Sequence, residues 1–299
     1  ARTLQAQGAL LDWLEHSARS GELVCWFEST QNNTRLAASP LSVSGQMRDI
    51  LLTPGKAAIL TSATLAAGED FSYFLRNLGV DEAQTVRYDS PFDYPHHALL
   101  YIPENLPEPH DRRFADALIE ASLPVLKASR GRAFMLFTSY AMLHRVAKMM
   151  RERTQWTLFV QGTAPRGELI DQFRKSPEAV LLGTASFWEG VDIQGEDLSC
   201  VIIDKLPFAP PNDPVMSARL KKVEEAGGQP FMDVQVPDAV ITLKQGAGRL
   251  IRDEQDRGVL MLCDARLLSK AYGRKFLAAL PPMPRTASVV DVEYFFRAK

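Results

Sequence analysis

Five short apolar runs, Ala133–Phe137, Trp156–Val160, Ala179–Gly183, Cys200–Asp204 and Gly258–Cys263, leave this chain few folds to choose from. They are close to continuously apolar, so each is expected to bury both faces. A strand with two buried faces belongs inside a parallel sheet with helices packed on either side. The intervening segments supply those helices: 111–129, stopped by Gly131, then 140–153, 165–174 and 237–252. The pattern predicts an α/β fold whose parallel sheet carries helices on both faces.

The earlier part of the chain is less regular. Residues 1 to about 20 read as a helix with Leu10, Leu11 and Leu14 on its apolar face and Gly21 as its stop. Leu23–Phe27 is strand-like, Asn32-Asn33 marks a turn, and an amphipathic segment runs from Pro40 to near Leu52 before Thr53-Pro54-Gly55 breaks it. Lys56–Leu60 reads as an apolar strand entering the hydroxyl cluster Thr61-Ser62-Ala63-Thr64. Hydroxyls at a strand end satisfy local backbone groups. They also sit where open α/β sheets bind ligands. The proline-rich stretches Ser90–Pro95 and Leu106–Pro109 mark a boundary, giving a partial domain at 1–88 and a complete one at 89–299.

Composition removes several function classes. A net charge of −2 does not suit a globally basic nucleic-acid binder, so any such surface must be a local track. No apolar run reaches the roughly 18 residues of a membrane span. Cys25, Cys200 and Cys263 lie far apart in or beside apolar runs, which reads as buried thiols of a reducing, cytoplasmic compartment. His96, His97 and His110 lack metal-ligand spacing and read as surface residues. The chain opens Ala1-Arg2-Thr3-Leu4, which reads as a piece of a longer polypeptide.

Two phosphate-site signals fail on inspection. Gly55-Lys56 is followed by Ala57 where a P-loop needs Ser or Thr, and Ile50 stands where its first glycine belongs. Asp81-Glu82-Ala83-Gln84 follows a helix-end pattern, Leu78-Gly79-Val80, and reads as a solvated loop, not a metal-binding acidic box.

Other clusters carry more chemistry. Gly183–Asp192 combines hydroxyls, aromatics and two carboxylates between glycines, a composition suited to a functional loop. If 237–252 is one helix, Gln245, Arg249 and Arg252 fall at i, i+4 and i+7 and share a face. Two guanidiniums and an amide on one stripe suit a polyphosphate, because arginine forks match phosphate oxygens. A solvated basic face is the other reading of that stripe taken alone.

Four segments then occur in a telling order: Thr-Ser-Ala-Thr-Leu at 61–65, Leu-Phe-Thr-Ser-Tyr at 136–140, Ser-Phe-Trp-Glu-Gly-Val-Asp at 186–192, and Gln-Gly-Ala-Gly-Arg-Leu-Ile-Arg at 245–252. Together they resemble motifs III, IV, V and VI of superfamily 2 helicases, in the wording of the XPD/DinG branch. The resemblance covers nearly all of the chain. It implies an ATP-dependent 5′→3′ DNA helicase of repair and replication, with two RecA-like motor domains, ATP with Mg2+, and a 4Fe–4S cluster. The chain would be the end of the first motor domain and all of the second. The P-loop, acidic box and cluster cysteines would lie in an earlier part of the polypeptide, so this chain alone is expected to be inactive.

The same resemblance implies roles by position. Arg252 is the candidate arginine finger, with Arg249 and Gln245 beside it; Glu189, Gly190, Asp192 and Gly248 would line the nucleotide site. Ser62 and Thr64 match the motif that couples hydrolysis to movement. Phe137, Ser139, Tyr140, Thr184, Ser186, Phe187, Trp188 and Lys205 would form the track for single-stranded or forked DNA, Trp188 being equally suited to plugging the domain core. The tail Ser288–Arg297 could add an edge strand or display an aromatic anchor, for which the resemblance implies the chi subunit of the replicative clamp loader as partner. A non-catalytic module binding ssDNA or a replication protein is the alternative reading of the whole.

Overall fold

The computed structural model describes residues 8, 12, 15, 21–29, 33–66, 70–184, 187 and 197–298. The chain forms two compact units, residues 1–86 with 209–238, and residues 87–208 with 239–299. The expected boundary therefore needs one correction, since 209–238 groups with the first unit. Helix α7 (Pro214–Glu225) in that segment packs against strand β1 (Leu23–Ser29), and Arg219 Nε donates to the Leu41 carbonyl at 3.2 Å.

In the first unit, β1 pairs antiparallel with β2 (Thr34–Pro40), from Leu23 opposite Pro40 to Ser29 opposite Thr34. Helices α1 (Ser44–Leu51) and α2 (Ser72–Leu78) follow. They meet tightly at Gly79, which has φ 67° and whose added Cβ would sit 2.3 Å from the Ser44 carbonyl oxygen. Only glycine suits both constraints. The strand expected over 56–60 is not formed: Ile59 is 90% exposed, and no strand among the described residues supplies a ladder beside it. An apolar run without a hydrogen-bonding neighbour cannot be a strand, whatever its side chains prefer. Of the helix expected over 1–20, Gly8, Asp12 and Glu15 are helical, and the leucine face lies outside the described residues.

The second unit is built on a parallel sheet. Its strands are β3 (Ala98–Tyr101), β4 (Ala133–Leu136), β5 (Thr157–Val160), β6 (Ala179–Gly183), β7 (Cys200–Ile203), β8 (Gly258–Leu262) and β9 (Arg285–Thr286). They run in the order β5-β6-β4-β7-β8-β3-β9, and every pairing is parallel. The strands interior to that order are buried along their whole length, while the edge strands β5 and β9 are partly exposed. Continuous apolar sequence and two-sided burial thus coincide. β3 follows α3 (Tyr94–His97) and lies within the passage read as a linker; β9 is only two residues long.

Helices α4 (Phe114–Ala128), α5 (Tyr140–Arg153) and α11 (Val289–Arg297) cover one face. Phe114, Leu118, Leu143, Val146 and Val292 join Leu99, Met135, Val180, Ile202 and Met261 in one core. Each large side chain so buried contributes roughly 1.5–3 kcal/mol. On the opposite face Phe187 packs on Phe134 at 5.9 Å, and α6 (Arg166–Arg174) sets Phe173 edge-on to Phe159 of β5. Two helix-covered faces are what the sequence pattern predicts.

The tail is a helix and not an edge strand. Ser288 caps α11 by accepting from the Val290 N–H, Val292 is fully buried, and Phe295 and Phe296 pack at the core's margin. Arg257 lies 4.0 Å over the Phe295 ring and donates to the Ala298 carbonyl. The burial spacing 292, 295, 296 is helical, and it outweighs the alternation that ends at Val292. Among the described residues no helix is long and apolar enough to cross a membrane.

Gly258 begins β8 where an added Cβ would lie 2.5 Å from both the Ser199 carbonyl oxygen and Leu250 Cδ1. Gly258→Ala is expected to destabilise the protein by about 1–3 kcal/mol, read as a lowered midpoint in urea unfolding. Gly167→Ala, in α6 with nothing within 4 Å of its added Cβ, should be neutral or stabilising by up to about 1 kcal/mol.

Candidate functional site

Parallel strands deliver their carboxyl ends to one edge, and in the second unit that edge gathers the buried polar side chains of Gln161, Thr184, Asp204 and Asp264. β4 runs through Phe137 and Thr138 into Ser139, whose Oγ caps α5 by accepting from the Met142 N–H at 3.3 Å. Tyr140 follows at the first turn of α5, 53% exposed, its ring stacked on His144 with centroids 6.2 Å apart. β5 ends at Gln161 and β6 at Thr184, both buried. Gln161 Oε1 accepts from the Thr184 N–H at 2.6 Å and its hydroxyl at 3.0 Å, and Gln161 Nε2 donates to the Tyr140 hydroxyl at 2.6 Å. One amide therefore joins three strand ends. The sequence signal for Gln161 was slight: a single polar residue after Phe159-Val160 and before Gly162.

Two aspartates do the equivalent work further along the edge. Asp204, after β7, accepts through Oδ1 from the N–H groups of Thr138 (3.2 Å) and Lys205 (2.8 Å). Its Oδ2 is buried with no hydrogen-bond partner, as is Thr138 Oγ1. Burial pushes the Asp204 carboxyl up to about 7, against the pull of the Lys205 charge and the two backbone donors. Asp264, after β8, is equally buried but paired: it accepts from the Leu206 N–H at 2.8 Å and from Arg266 Nη2 at 2.6 Å. That pairing raises the Arg266 guanidinium, which also lies 5.4 Å over Phe208.

Several expected track residues are interior. Phe137, Thr184 and Phe187 are 1%, 5% and 1% exposed, so direct contact of these side chains with DNA is corrected to a packing or bracing role. Phe137 belongs to the core under α4 and α5. Phe187 fills the opposite face, with Arg166 stacked 5.5 Å above it, and its ring leaves no room for a Cβ at Gly183. Ser139, Tyr140 and Lys205 remain at least partly accessible. Ser186, Trp188, Glu189, Gly190 and Asp192 lie outside the described residues.

The basic stripe is also rearranged. Helix α8 (Val236–Ala247) ends before the arginines, so Gln245, Arg249 and Arg252 do not share one helical face. After the Gly248 N–H bonds the Lys244 carbonyl at 2.8 Å, the chain tightens to three-residue bonds, Arg249 to Gly246 and Leu250 to Ala247. Leu250 and Ile251 then turn inward and are 2% exposed. Asp256 Oδ2 accepts from the N–H groups of Arg252 at 2.7 Å and Asp253 at 2.9 Å, which stops any further helix. Arg249 and Arg252 are half-buried and engaged with neighbours. In the first unit, Ser62 Oγ accepts from the Thr64 N–H at 3.2 Å, a local turn of hydroxyl residues.

The helicase C-terminal domain family matches residues 122–283. The chain is similar to the ATP-dependent DNA helicase YoaA of Escherichia coli, 46% identical over 270 residues, covering 90% of this chain and 42% of that protein. It is also similar to the ATP-dependent DNA helicase DinG of Photobacterium profundum, 37% identical over 280 residues, covering 89% of this chain and 40% of that protein. The chain thus spans less than half the length of these curated relatives. A solved XPD helicase structure superposes with a TM-score of 0.64 at 19% identity, over 93% of this chain and 50% of its own. That likeness concerns fold, and it agrees with a RecA-like sheet in the second unit.

Asp204 ties this edge to pH. Between about pH 4 and 7 the unfolded chain has released this proton and the folded chain still holds it, so the residue lowers stability as pH rises through that window, with no further change above it. Asp204→Asn cannot ionise. Its unfolding free energy relative to the unsubstituted protein, measured by urea titration, should climb from about pH 4 to 7 and then level off.

Proposed function

The chain belongs to the helicase C-terminal domain family, in the XPD/DinG group, and from that premise we propose that it is the C-terminal motor portion of an ATP-dependent DNA helicase moving 5′→3′ in repair or replication. The observation that supports this reading is the position of Ser139, Tyr140 and Lys205 just beyond the carboxyl ends of two paired strands, β4 and β7, of one parallel sheet. Single-stranded DNA crosses this edge, with Tyr140 stacking on a base and Ser139 and Lys205 meeting the backbone. Ser186 and Trp188 extend the same track.

Arg252 serves as the arginine finger, with Arg249, Gln245 and Gly248 beside it and Glu189, Gly190 and Asp192 completing this chain's share of the nucleotide contacts. Two guanidiniums near one turn fit the charge of a γ-phosphate, and ATP with Mg2+ supplies the phosphoryl group that the finger steadies. Asp256 holds the Arg252 backbone by its N–H, so the finger starts from a braced loop. Ser62 and Thr64 couple hydrolysis to movement. Cys200 and Cys263 do not suit a 4Fe–4S cluster: both are buried, burial pushes the Cys200 thiol up to about 12 and Cys263 well above its ordinary range, and among the described residues no three metal-ligating side chains gather. A cluster of that kind belongs to another part of the longer protein.

A second reading makes the chain a docking module, in which α11 engages the chi subunit of the clamp loader. The exposure of Tyr294, 72%, and Val290, 66%, on a helix whose other apolar side chains are at least partly buried favours it. Tyr294→Ala is the clean test, because removing the whole helix would also remove Val292 from the core; loss of chi from a pull-down supports this reading, and unchanged capture defeats it.

Purified residues 1–299 are expected to bind single-stranded DNA without turning over ATP, by fluorescence anisotropy and a phosphate-release assay. ATP turnover by this chain alone would overturn the motor-portion reading. In the longer protein, Arg252→Ala should lower kcat by about 10³-fold or more while DNA affinity is retained.

A further inference from the structure

We propose that Gln161 is a positioning residue for DNA, holding the Tyr140 ring as a fixed stacking platform and linking it to the start of the Gly183–Asp192 motif. The inference rests on the reading of this sheet edge as the DNA track. Gln161 belongs to none of the four helicase-like motifs, yet its side chain bridges Tyr140, which ends one of them, to Thr184 at the start of the Gly183–Asp192 loop.

The geometry leaves the amide one orientation. The Thr184 N–H can only donate, so the Gln161 atom 2.6 Å from it must be the carbonyl oxygen. The NH2 group is then the one that faces Tyr140, and it donates to the hydroxyl at 2.6 Å. Gln161 is itself 8% exposed, so its side chain cannot swing away without leaving buried polar groups unpaired. Tyr140, by contrast, is 53% exposed and stands at the start of a helix, where a lone aromatic would sample several rotamers. Its hydroxyl is fixed by Gln161 and its ring by the stack on His144, so one face is left for a base. A ring ordered on folding does not lose that freedom on binding, a gain of about threefold to tenfold in affinity. The base recognised is any base, since stacking reads a π-face and no particular edge.

The same contact gives Thr184 a function other than touching DNA: its hydroxyl and N–H anchor the carbonyl side of Gln161 and so help to fix the amide that holds the Tyr140 hydroxyl.

Anisotropy titrations of the whole chain with an oligothymidylate and with an abasic strand of equal length test this. Tyr140→Ala is expected to weaken oligothymidylate binding by about tenfold, the loss of one base stack, and to leave the abasic strand unchanged. Gln161→Ala and Tyr140→Phe should each weaken oligothymidylate binding by about threefold to tenfold, again sparing the abasic strand. The two combined should add nothing further, because both break one contact. Gln161→Glu, which still accepts from Thr184 and can accept from the tyrosine hydroxyl, should restore binding. If Tyr140→Ala leaves oligothymidylate affinity intact, the track reading fails at this residue and the positioning role falls with it. If Tyr140→Ala weakens binding but Gln161→Ala and Tyr140→Phe do not, the track stands and the positioning role is overturned. Equal weakening of both strands by Gln161→Ala, with Tyr140→Phe silent, would make Gln161 a structural residue only and would likewise overturn it.

Discussion

Two-sided burial of a parallel sheet governs where this chain can keep polar chemistry. Every residue of β3, β4, β6, β7 and β8 is buried, so neither strand face can present a group to solvent or ligand. Side chains that bind must stand where strands stop, and parallel strands all stop, in the same sense, at one edge. Ser139, Tyr140, Gln161, Thr184, Asp204 and Asp264 are the residues found there. The site is a consequence of the packing, and the short strands keep its members close together.

Placing backbone at the end of a buried strand carries a cost of its own. The N–H groups of Thr138, Thr184, Lys205 and Leu206 leave the sheet ladder and still need acceptors. Gln161, Asp204 and Asp264 supply them. The two aspartates answer the electrostatic problem differently. Asp264 meets a guanidinium, while Asp204 relies on backbone dipoles and the more distant Lys205 charge, so burial leaves it poised between its two protonation states near neutrality. An acceptor that is half protonated holds its donors less firmly, and one of those donors is the Thr138 N–H, immediately before Ser139 and Tyr140 in the chain.

How far the sequence could be read follows from which forces are local. Continuous apolar runs announced β4, β6, β7 and β8, since burial on both faces leaves no room for alternation, and the same composition announced β5, although as an edge strand it is partly exposed. β3 was hidden by the neighbouring histidines and prolines, and β9 by its length. Lys56–Leu60 had the composition of a strand, but a strand exists by virtue of its neighbour, which composition cannot report. Helix 237–252 looked uninterrupted because the spacing of Gln245, Arg249 and Arg252 suits one helical face in spite of Gly246 and Gly248; the inward pull of Leu250 and Ile251 and the capture of two N–H groups by Asp256 are tertiary facts. Phe137 and Phe187 misled in the other direction. An aromatic in a motif suggests stacking on a ligand, yet both rings complete the core on which the motif rests.

Motif residues and the residues that brace them are therefore legible to different degrees. Arg252 and Tyr140 stand out because their chemistry is unusual for their surroundings: a cation after a buried helix, an aromatic on a helix start. Asp256 and Gln161 do not stand out, Asp256 being one of several charged residues before β8 and Gln161 a single polar residue at the end of β5. Each nevertheless accepts a backbone or side-chain donor that fixes a conspicuous neighbour, Asp256 at 2.7 Å from the Arg252 nitrogen and Gln161 at 2.6 Å from that of Thr184. Removing such an acceptor leaves a buried N–H without a partner, a loss of about 1–3 kcal/mol that the motif residue itself would not reveal. In a fold whose functional groups all stand at strand ends, the acceptors that close those ends set the precision of the site.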